Sequence, residues 1–311
     1  MWITSTLQTV LTPTILALGN FDGVHRGHQQ VIASLQDVNI EAAYLTVVAF
    51  DPHPQEFFTG KPRLLLTPPE EKGQVLAHLG VDQLVLLPFN EGLASLSPKD
   101  FVEEMLVRQL QAKAISVGFN FCFGYQRAGT TEDLVAIATP AGVRVTIVPP
   151  QQFEQERISS SAIRNFLAEG EVERANQLLG RPYTLIGRVI GGDRRGRQLG
   201  FPTANLELPA NKFLPQSGVY AVRVTGDRLG QQQFGVMNLG CRPTVQGNGT
   251  AVEVHLLDWC GDLYGQSLTV YLEKFLRPEQ RFPSLEALQA QIQVDCQTAR
   301  HLFDRFNLVD A

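Results

Sequence analysis

The chain has 311 residues, and at about 150 residues per domain this length predicts two domains. Its composition, with 44% hydrophobic and 18% charged residues, is that of a globular protein and excludes a disordered or fibrous chain. The net charge of −5 argues against a protein that tracks a nucleic-acid backbone, so we expect no nucleic-acid partner.

The cysteines and the apolar runs bear on the compartment in which the chain works. None of the four cysteines stands in a C-x-x-C pair, so their spacing predicts neither a zinc site nor a redox pair, and free thiols fit a reducing compartment. No apolar run reaches the length of about 18 residues that a membrane span needs. No Lys or Arg precedes Arg26, where a signal peptide would carry a basic leader. We therefore expect a cytoplasmic protein without membrane contact.

The first half of the chain alternates short apolar runs with stretches of helical pattern. The runs are rich in Val, Ile and Leu and do not alternate with polar residues, which is typical of parallel strands covered on both faces. This order indicates an α/β domain with a parallel sheet that binds ligands at the carboxyl ends of its strands. The predicted strands are Ile15–Leu18, Ala43–Phe50, Gln83–Leu87, Ala114–Val117 and Val143–Val148, and the predicted helices are Gly27–Leu35, Pro69–Leu79, Pro98–Leu110 and Thr131–Thr139.

The second half has a different pattern, which follows two short predicted helices, Ser159–Leu167 and Val172–Leu179. Short alternating strands separated by turn residues indicate an antiparallel barrel or a sandwich. We place the boundary at Gly180–Pro182, so that the domains comprise residues 1–182 and 183–311. A last helix is predicted after its N-cap, Ser284. The predicted strands of this half are Leu185–Ile190, Val219–Val224, Phe234–Leu239, Val252–Leu257 and Leu268–Phe275.

The string GNFDGVHRGH, residues 19–28, follows the first predicted strand and leads into the first predicted helix. Unpaired backbone N–H groups and the helix dipole favour an anion there, and glycines let a ligand approach the backbone. His25 and His28 share one helix face, from which imidazoles can donate hydrogen bonds to phosphate oxygens during transfer at an α-phosphate. The spacing leaves two alternatives open, plain helix capping and a hydrolytic metal site made by the two histidines with Asp22, Asp51 and His53.

Two further strings follow later strands of the predicted sheet. The aromatic string FNFCF, residues 119–123, follows the fourth strand and is suited to walling a flat ring system, although any single Phe belongs more often to the core. The string ISSSAIR, residues 158–164, opens a helix with three hydroxyls and Arg164. Such hydroxyls and an arginine form an anion cradle that suits pyrophosphate.

Together these strings resemble the H-x-G-H nucleotidylyltransferase signature and the N-terminal module of the bacterial bifunctional riboflavin kinase/FMN adenylyltransferase family. The resemblance implies a Rossmann-like domain that transfers AMP from ATP to FMN and releases pyrophosphate. It implies catalytic roles for His25, His28 and Asn120, and Asn120 stands where this family often has an acidic residue. Contacts to the nucleotide are expected from Gly19, Phe21, Asp22, Gly23, His25, His28, Ser160 and Arg164, and contacts to the flavin from Asn120 and Phe123.

The second half opens with a loop rich in glycine and arginine, residues 191–200. Such a loop can wrap phosphates with its backbone N–H groups, although an arginine run is more often a solvated loop. Thr203 and Asn205, two residues apart, are oxygen donors that suit Mg²⁺ held between protein and phosphate. A strand of period two puts Glu253 and His255 on one face. A carboxylate there can accept the proton of an attacking alcohol, or it can be an ordinary surface glutamate.

The strings GFPTAN, residues 200–205, and GVMNLGCRPT, residues 235–244, precede the Glu253 strand in the order of the riboflavin kinase module of the same family. This resemblance implies a small six-stranded antiparallel barrel with a C-terminal helix, which phosphorylates riboflavin to FMN with ATP and Mg²⁺. It implies Glu253 as general base and Thr203 and Asn205 as ligands of Mg²⁺ and nucleotide. We also expect nucleotide contacts from Gly191, Gly196 and Gly200, and flavin contacts from Arg277 and Arg281.

The expected partners are therefore riboflavin, FMN and ATP, with the flavins as substrate and product rather than prosthetic groups. Two other functions stay open. One is an H-x-G-H adenylyltransferase with an unrelated barrel, against which Thr203, Asn205 and Glu253 argue. The other is a flavin-binding regulator without chemistry, against which the presence of His28 and Arg164 argues. Turnover of riboflavin with ATP and Mg²⁺ discriminates between them.

Overall fold

In the computed structural model the chain is described at residues 1–38, 40–192, 196, 199–244 and 247–309, with the backbone alone at 241–244, 247–250 and 306–309. It divides into two compact units, Met1–Ser160 and Ser161–Ala311. The domain boundary after residue 182 stays a prediction. In the described part of the chain, no helix combines the length and the apolar character needed to cross a membrane.

The first unit contains a six-stranded sheet in which all neighbouring strands are parallel. Its strands are β1 Trp2–Thr4, β2 Thr14–Leu18, β3 Tyr44–Asp51, β4 Gln83–Pro88, β5 Ala112–Gly118 and β6 Arg144–Val148. They lie side by side in the order β1-β4-β3-β2-β5-β6. The predicted parallel sheet is confirmed in β2 to β6, whereas the short edge strand β1 was not predicted.

Helices cover both faces of this sheet. Leu16 and Leu18 of β2 belong to one hydrophobic cluster and Ile15 and Ala17 to another, so alternate residues of a fully buried strand enter two separate cores. The helices are α1 Arg26–Gln36, α2 Pro54–Thr59, α3 Pro69–His78, α4 Glu91–Ala94, α5 Pro98–Asp100 with its π-helical continuation Phe101–Gln109, and α6 Thr131–Ala138. Strands β7 Gln152–Phe153 and β8 Glu156–Arg157 form a small hairpin.

The second unit is a closed six-stranded barrel with helices before and after it. All neighbouring strands are antiparallel, which confirms the predicted barrel. The strands are β9 Tyr183–Ile190, β10 Ala204–Glu207, β11 Gly218–Thr225, β12 Gln233–Thr244, β13 Gly247–Leu256 and β14 Ser267–Pro278, in the closed order β10-β13-β12-β11-β14-β9. The helices are α7 Ser160–Ala168, α8 Val172–Leu179 and α9 Leu285–Val309.

Side-chain hydrogen bonds attach α8 to the barrel and cap the start of α9. Asn176 of α8 donates from Nδ2 to the Leu272 carbonyl (2.8 Å) and accepts at Oδ1 from the Tyr183 N–H (2.7 Å). The Ser284 hydroxyl accepts from the Ala287 N–H (3.2 Å), which confirms the predicted cap of α9. The buried apolar residues of α9 that pack on the barrel are Cys296, Ala299 and Phe303.

Candidate active sites

The two histidines of the β2–α1 loop come together at the start of α1. His25 is the N-cap residue, and its Nδ1 accepts a hydrogen bond from the His28 backbone N–H (3.3 Å). The two imidazole rings are stacked with their centroids 3.7 Å apart. The prediction of a shared face is therefore confirmed, and capping is one of the functions of His25 rather than an alternative to the paired arrangement.

The loop itself has an unusual backbone that a neighbouring segment holds in place. Phe21 and Val24 are non-glycine residues at φ values of 49° and 43°, a conformation that L-residues seldom adopt. Asp22 is buried, and its Oδ1 accepts from the backbone N–H groups of Leu66 (2.8 Å) and Thr67 (3.3 Å). These described contacts of Asp22 fix the loop, and a contact of Asp22 to nucleotide stays a prediction.

Two further hydrogen bonds join residues that the sequence had singled out. The Thr67 hydroxyl accepts from the N–H of Gly23 (2.9 Å), a residue predicted to contact the nucleotide. The Ser160 hydroxyl donates to the Asp22 carbonyl (2.8 Å). The structure therefore brings Ser160 to the same loop as the histidines, as a phosphate cradle requires.

His28 is held in its uncharged form. Burial, the neighbouring His25 and the Lys72 ammonium, in that order, lower the pKa of His28 well below its usual value. Its Nδ1 is buried and has no hydrogen-bond partner among the described residues, and its ring lies 5.0 Å from that of Phe21. A neutral imidazole has one donor and one acceptor nitrogen, so His28 can still donate a hydrogen bond to a phosphate oxygen.

Sequence reasoning missed Lys72, a lysine of α3 with only 6% of its surface exposed. Its Nζ donates to the Asn20 carbonyl (2.9 Å), within the β2–α1 loop. Burial lowers the pKa of Lys72, while Asp22 and Asp51 favour its charged form. No motif marks this residue, because its place beside the loop depends on how α3 packs.

The aromatic string after β5 divides between surface and core. Asn120 is exposed, and the Phe119 ring, 40% exposed, lies under the Arg157 guanidinium at 5.1 Å. Phe123 is buried against Phe101, with ring centroids 5.3 Å apart. The roles of Asn120 in catalysis and of Phe123 in flavin binding stay predictions. Phe119 belongs to the string predicted to wall a flat ring system, but it was not among the predicted flavin contacts.

The alternative of a hydrolytic metal site finds no support in the geometry of this region. His53 caps α2, since its Nδ1 accepts from the Gln55 N–H (3.0 Å). Throughout the residues that the structure describes, no three His, Cys, Asp or Glu side chains gather as metal ligands would.

In the second unit, glycines closely approach the two predicted metal ligands. A Cβ at Gly192 would overlap the Asn205 amide, and a Cβ at Gly196 would overlap the Phe201 carbonyl and lie 3.3 Å from the Thr203 hydroxyl. Gly191 and Gly200 have open space, and Gly200 adopts a φ of 83°. The side-chain oxygens of Thr203 and Asn205 are suitable ligands for Mg²⁺, and the glycine backbone that lies close to them is suitable for binding phosphate. The loop arginines Arg194, Arg195 and Arg197 lie outside the described residues.

Glu253 is half-buried on β13, opposite Asn205 of β10 and Asn238 of β12 in the strand register. Directly opposed residues lie on one face with Cβ atoms about 4.5–5.5 Å apart. Val252 and Val254 are buried on the other face, which confirms the predicted alternation. The structure thus brings Glu253 beside one predicted metal ligand and adds Asn238, which the sequence analysis had not selected.

The predicted arginine ligands have contacts of their own. Arg277 forms a bidentate pair with Asp295 of α9, with Nε and Nη2 at 2.8–3.1 Å from the two carboxylate oxygens. Arg281 is exposed. Arg164, on α7, lies with its guanidinium 5.7 Å from the centre of the Phe213 ring. Flavin contacts of Arg277 and Arg281 and a phosphate contact of Arg164 stay predictions.

Similarity to known proteins extends over both units. The family model described as FAD synthetase matches residues 7–162, and the one described as riboflavin kinase matches residues 179–303. A bifunctional riboflavin kinase/FMN adenylyltransferase of Pseudomonas fluorescens is 42% identical over 290 residues, covering 93% of this chain and 92% of its own. Proteins of the same description from Escherichia coli K12 and Bacillus subtilis 168 are 42% and 38% identical, with the same coverage.

A solved structure shares the fold over nearly the full length. It is a crystal structure described as a macrolide-efflux protein from Streptococcus pneumoniae, with a TM-score of 0.83 and 32% identity over 96% of this chain and 98% of that one. The succession of parallel-sheet unit and barrel unit is therefore common to this chain and to an experimentally determined structure.

Proposed function

The chain belongs to the family of bifunctional riboflavin kinases/FMN adenylyltransferases, and from this premise we propose how its two units perform the two reactions. It phosphorylates riboflavin to FMN with ATP, and it transfers AMP from a second ATP to FMN, giving FAD and pyrophosphate. One observation supports the assignment of one reaction to each unit. The FAD synthetase match ends at residue 162 and the riboflavin kinase match begins at residue 179, so each falls almost wholly within one compact unit.

We assign adenylyl transfer to the β2–α1 loop of the first unit. Unpaired N–H groups and the helix dipole favour the phosphates of ATP at the start of α1. An oxygen of the FMN phosphate attacks the α-phosphorus, and the bond from that phosphorus to the leaving pyrophosphate breaks. His28, uncharged, donates a hydrogen bond to an α-phosphate oxygen as negative charge develops there. Further contacts to the substrates in this unit are predicted for His25, Asn120, Ser160 and Arg164.

We assign riboflavin phosphorylation to the barrel face that carries Glu253. Glu253 accepts the proton of the ribityl hydroxyl while that oxygen attacks the γ-phosphorus and the bond to ADP breaks. Thr203 and Asn205 would hold Mg²⁺, which neutralises phosphate charge when it is bound with ATP. Neither reaction needs a covalent enzyme intermediate, since positioning and charge stabilisation are sufficient.

We propose the cytoplasm as the compartment. Both reactions consume ATP, and Cys122, Cys260 and Cys296 are free thiols, as is usual in a reducing environment.

A reciprocal pair of variants tests the division. Glu253→Gln keeps the size of the side chain but cannot take up a proton, so FMN formation should fall by about 10²–10⁴-fold. FAD formation from supplied FMN should persist. His28→Ala removes one donor to the transferring phosphate, so FAD formation should fall by about 10²–10³-fold while FMN formation continues. Chromatography resolves both products after incubation with riboflavin or FMN, ATP and Mg²⁺.

Two other histidines provide control variants. His255 lies on the same strand face as Glu253, and its Nδ1 is 2.8 Å from the Pro202 carbonyl. His78 is exposed on α3. We expect His255→Gln and His78→Ala to keep both activities within a few-fold of the parent. Loss of kinase activity in His255→Gln but not in Glu253→Gln would transfer the base to His255, and equal loss of both activities in either principal variant would contradict separate sites.

A further inference from the structure

Lys72 is buried in the first unit in a way that the reactions assigned above do not explain. Lysines are almost never fully buried unless they are paired, because removing an ammonium from water is costly. Lys72 is 6% exposed, and in the described parts of the chain no carboxylate lies within ion-pair distance of its Nζ. Its hydrogen bond goes to the Asn20 carbonyl (2.9 Å). A cost of this kind calls for a compensating function.

The neighbours of Lys72 in sequence bind the same loop. Leu66 and Thr67 donate their backbone N–H groups to Asp22, and the Thr67 hydroxyl accepts from Gly23. With Lys72 on Asn20, the segment 66–72 therefore contacts loop residues 20, 22 and 23. Non-glycine residues with positive φ cost about 1–3 kcal/mol each and persist only where the surroundings over-determine them. This loop contains two, Phe21 and Val24, and the segment 66–72 supplies that constraint.

We propose that Lys72 is a positioning residue for adenylyl transfer, which holds the β2–α1 loop in the shape that presents His28 to the α-phosphate of ATP. The proposal rests on the function assigned to His28 above. Lys72 acts through the Asn20 carbonyl, one residue before the strained Phe21 and eight residues before His28. No contact of Lys72 with substrate is required.

The charge of Lys72 has a second consequence for His28. After burial and His25, the Lys72 ammonium is a further cause that lowers the pKa of His28. In the described part of the chain, the ionisable groups that act on His28 are His25, the N-cap residue of α1, and Lys72 of α3. Asp22 and Asp51 in turn favour the charged form of Lys72. We therefore expect removal of the lysine charge to raise the pKa of His28.

Two variants of the full chain separate the hydrogen bond from the charge. Lys72→Met keeps an unbranched apolar chain and loses both, whereas Lys72→Gln keeps a donor for the Asn20 carbonyl and loses the charge. Lys99→Met is the matched control, because Lys99 is 70% exposed in a surface pair with Glu103. For each variant we would measure kcat and KM of FAD formation from FMN, FMN formation from riboflavin, and the His28 pKa by NMR titration of the imidazole signals.

In Lys72→Met we expect kcat of FAD formation to fall by about 10- to 10²-fold, the cost of a displaced reacting group, with KM changed only a few-fold. Lys72→Gln should recover part of that loss. The His28 pKa should rise in both variants and stay unchanged in Lys99→Met. FMN formation should persist throughout, because that reaction is assigned to the second unit, and circular dichroism reports whether the first unit is folded.

Two results would overturn the proposal. One is a Lys72→Met enzyme with kcat within two-fold of the parent and an unchanged His28 pKa. The other is a fall in FAD formation that matches the unfolded fraction measured by circular dichroism in both Lys72 variants, which would make Lys72 a structural residue alone. A wrong assignment of His28 gives a different result from a wrong assignment of Lys72. If only the function of His28 is wrong, His28→Ala keeps FAD formation, while the backbone amide signals of residues 20–24 still shift in Lys72→Met.

Discussion

The ion pair between Arg277 and Asp295 should contribute strongly to the stability of the second unit. The guanidinium makes three N–H···O contacts of 2.8–3.1 Å with the carboxylate and so ties β14 to α9. Gln291 donates to the same carboxylate (3.0 Å). The Arg277 and Asp295 side chains are 17% and 6% exposed, so the pair is shielded from water. Asp295→Asn keeps the shape of the side chain and removes its charge.

The expected loss follows from the charge that the substitution leaves behind. Breaking one partner of a buried pair costs about 3–5 kcal/mol, because the other charge stays buried and uncompensated. We expect the lower end, about 3 kcal/mol, because the Asn amide oxygen still accepts one hydrogen bond from Arg277. At about 3 °C per kcal/mol for a unit of this size, Tm should fall by about 9 °C.

The same helix provides the control. Arg300 of α9 pairs with Asp258 (2.8 Å), but these side chains are 43% and 76% exposed. An exposed pair is worth about 0–1 kcal/mol, so Asp258→Asn should lower Tm by less than about 3 °C. Asn tolerates the left-handed conformation of residue 258, at φ 56°, which avoids a second effect of the substitution.

Tryptophan fluorescence can follow the second unit by itself. The chain has two tryptophans, Trp2 in the first unit and Trp259 in the second, so a Trp2→Phe background leaves one reporter. A double variant, Arg277→Met with Asp295→Leu, removes both charges and should recover much of the stability. If Asp295→Asn loses no more than Asp258→Asn, the shielding of this pair does not have the energetic effect claimed. If the double variant is stable but fails to phosphorylate riboflavin, Arg277 is also a flavin ligand.

Two further predictions concern the second unit. A fragment 161–311 should fold and form FMN. The free energy of unfolding of a fragment 183–311, measured in urea, should be lower by several kcal/mol, because each buried side chain lost with α8 contributes about 1.5–3 kcal/mol. Equal free energies of unfolding would favour the boundary after residue 182. The α8 residues concerned are Val172, Ala175, Leu178 and Leu179. Gly192→Ala should raise KM for MgATP in the kinase reaction, because its Cβ would meet Asn205. Gly191→Ala has open space and keeps the backbone N–H that we expect to contact the nucleotide, so it should change this KM much less; a parallel response of the two would refute a specific approach of the loop to Asn205.

Local pattern predicted most of the architecture, and the strands it missed, β1, β7, β8 and β10, all have four residues or fewer. The strands β2 to β6 contain apolar runs that are visible in any short window, and β2 is buried on both faces. The strands β1, with three residues, and β10, with the sequence ANLE, are too short for such a window. Both exist because a neighbouring strand provides hydrogen bonds, β4 for β1 and β9 and β13 for β10.

The candidate sites divide in a similar way. Residues of contiguous strings, such as His25, His28 and Thr203, could be selected because each string is read locally, and their roles followed from the resemblance of those strings to a known family. Asn238 and Lys72 reach the sites through strand pairing and helix packing, over separations that a motif does not span. Asp22 shows the limit most clearly, because its described partners, Leu66 and Thr67, are 44 and 45 residues away in the chain.

Two of the residues that the sequence analysis missed, Lys72 and Asp295, are buried charged groups, and this has a physical cause. Pattern reasoning assigns Lys and Asp to the solvent face, because burial of an unpaired charge is costly. Lys72 and Asp295 contradict that assignment, and each is compensated by a partner from another element, the Asn20 carbonyl and Arg277. Each also contacts a segment that contains predicted site residues. Lys72 contacts the β2–α1 loop, and Asp295 contacts the end of β14. A motif therefore marks the groups that face a ligand, while the charges that hold those groups in place become visible only when the packing is known.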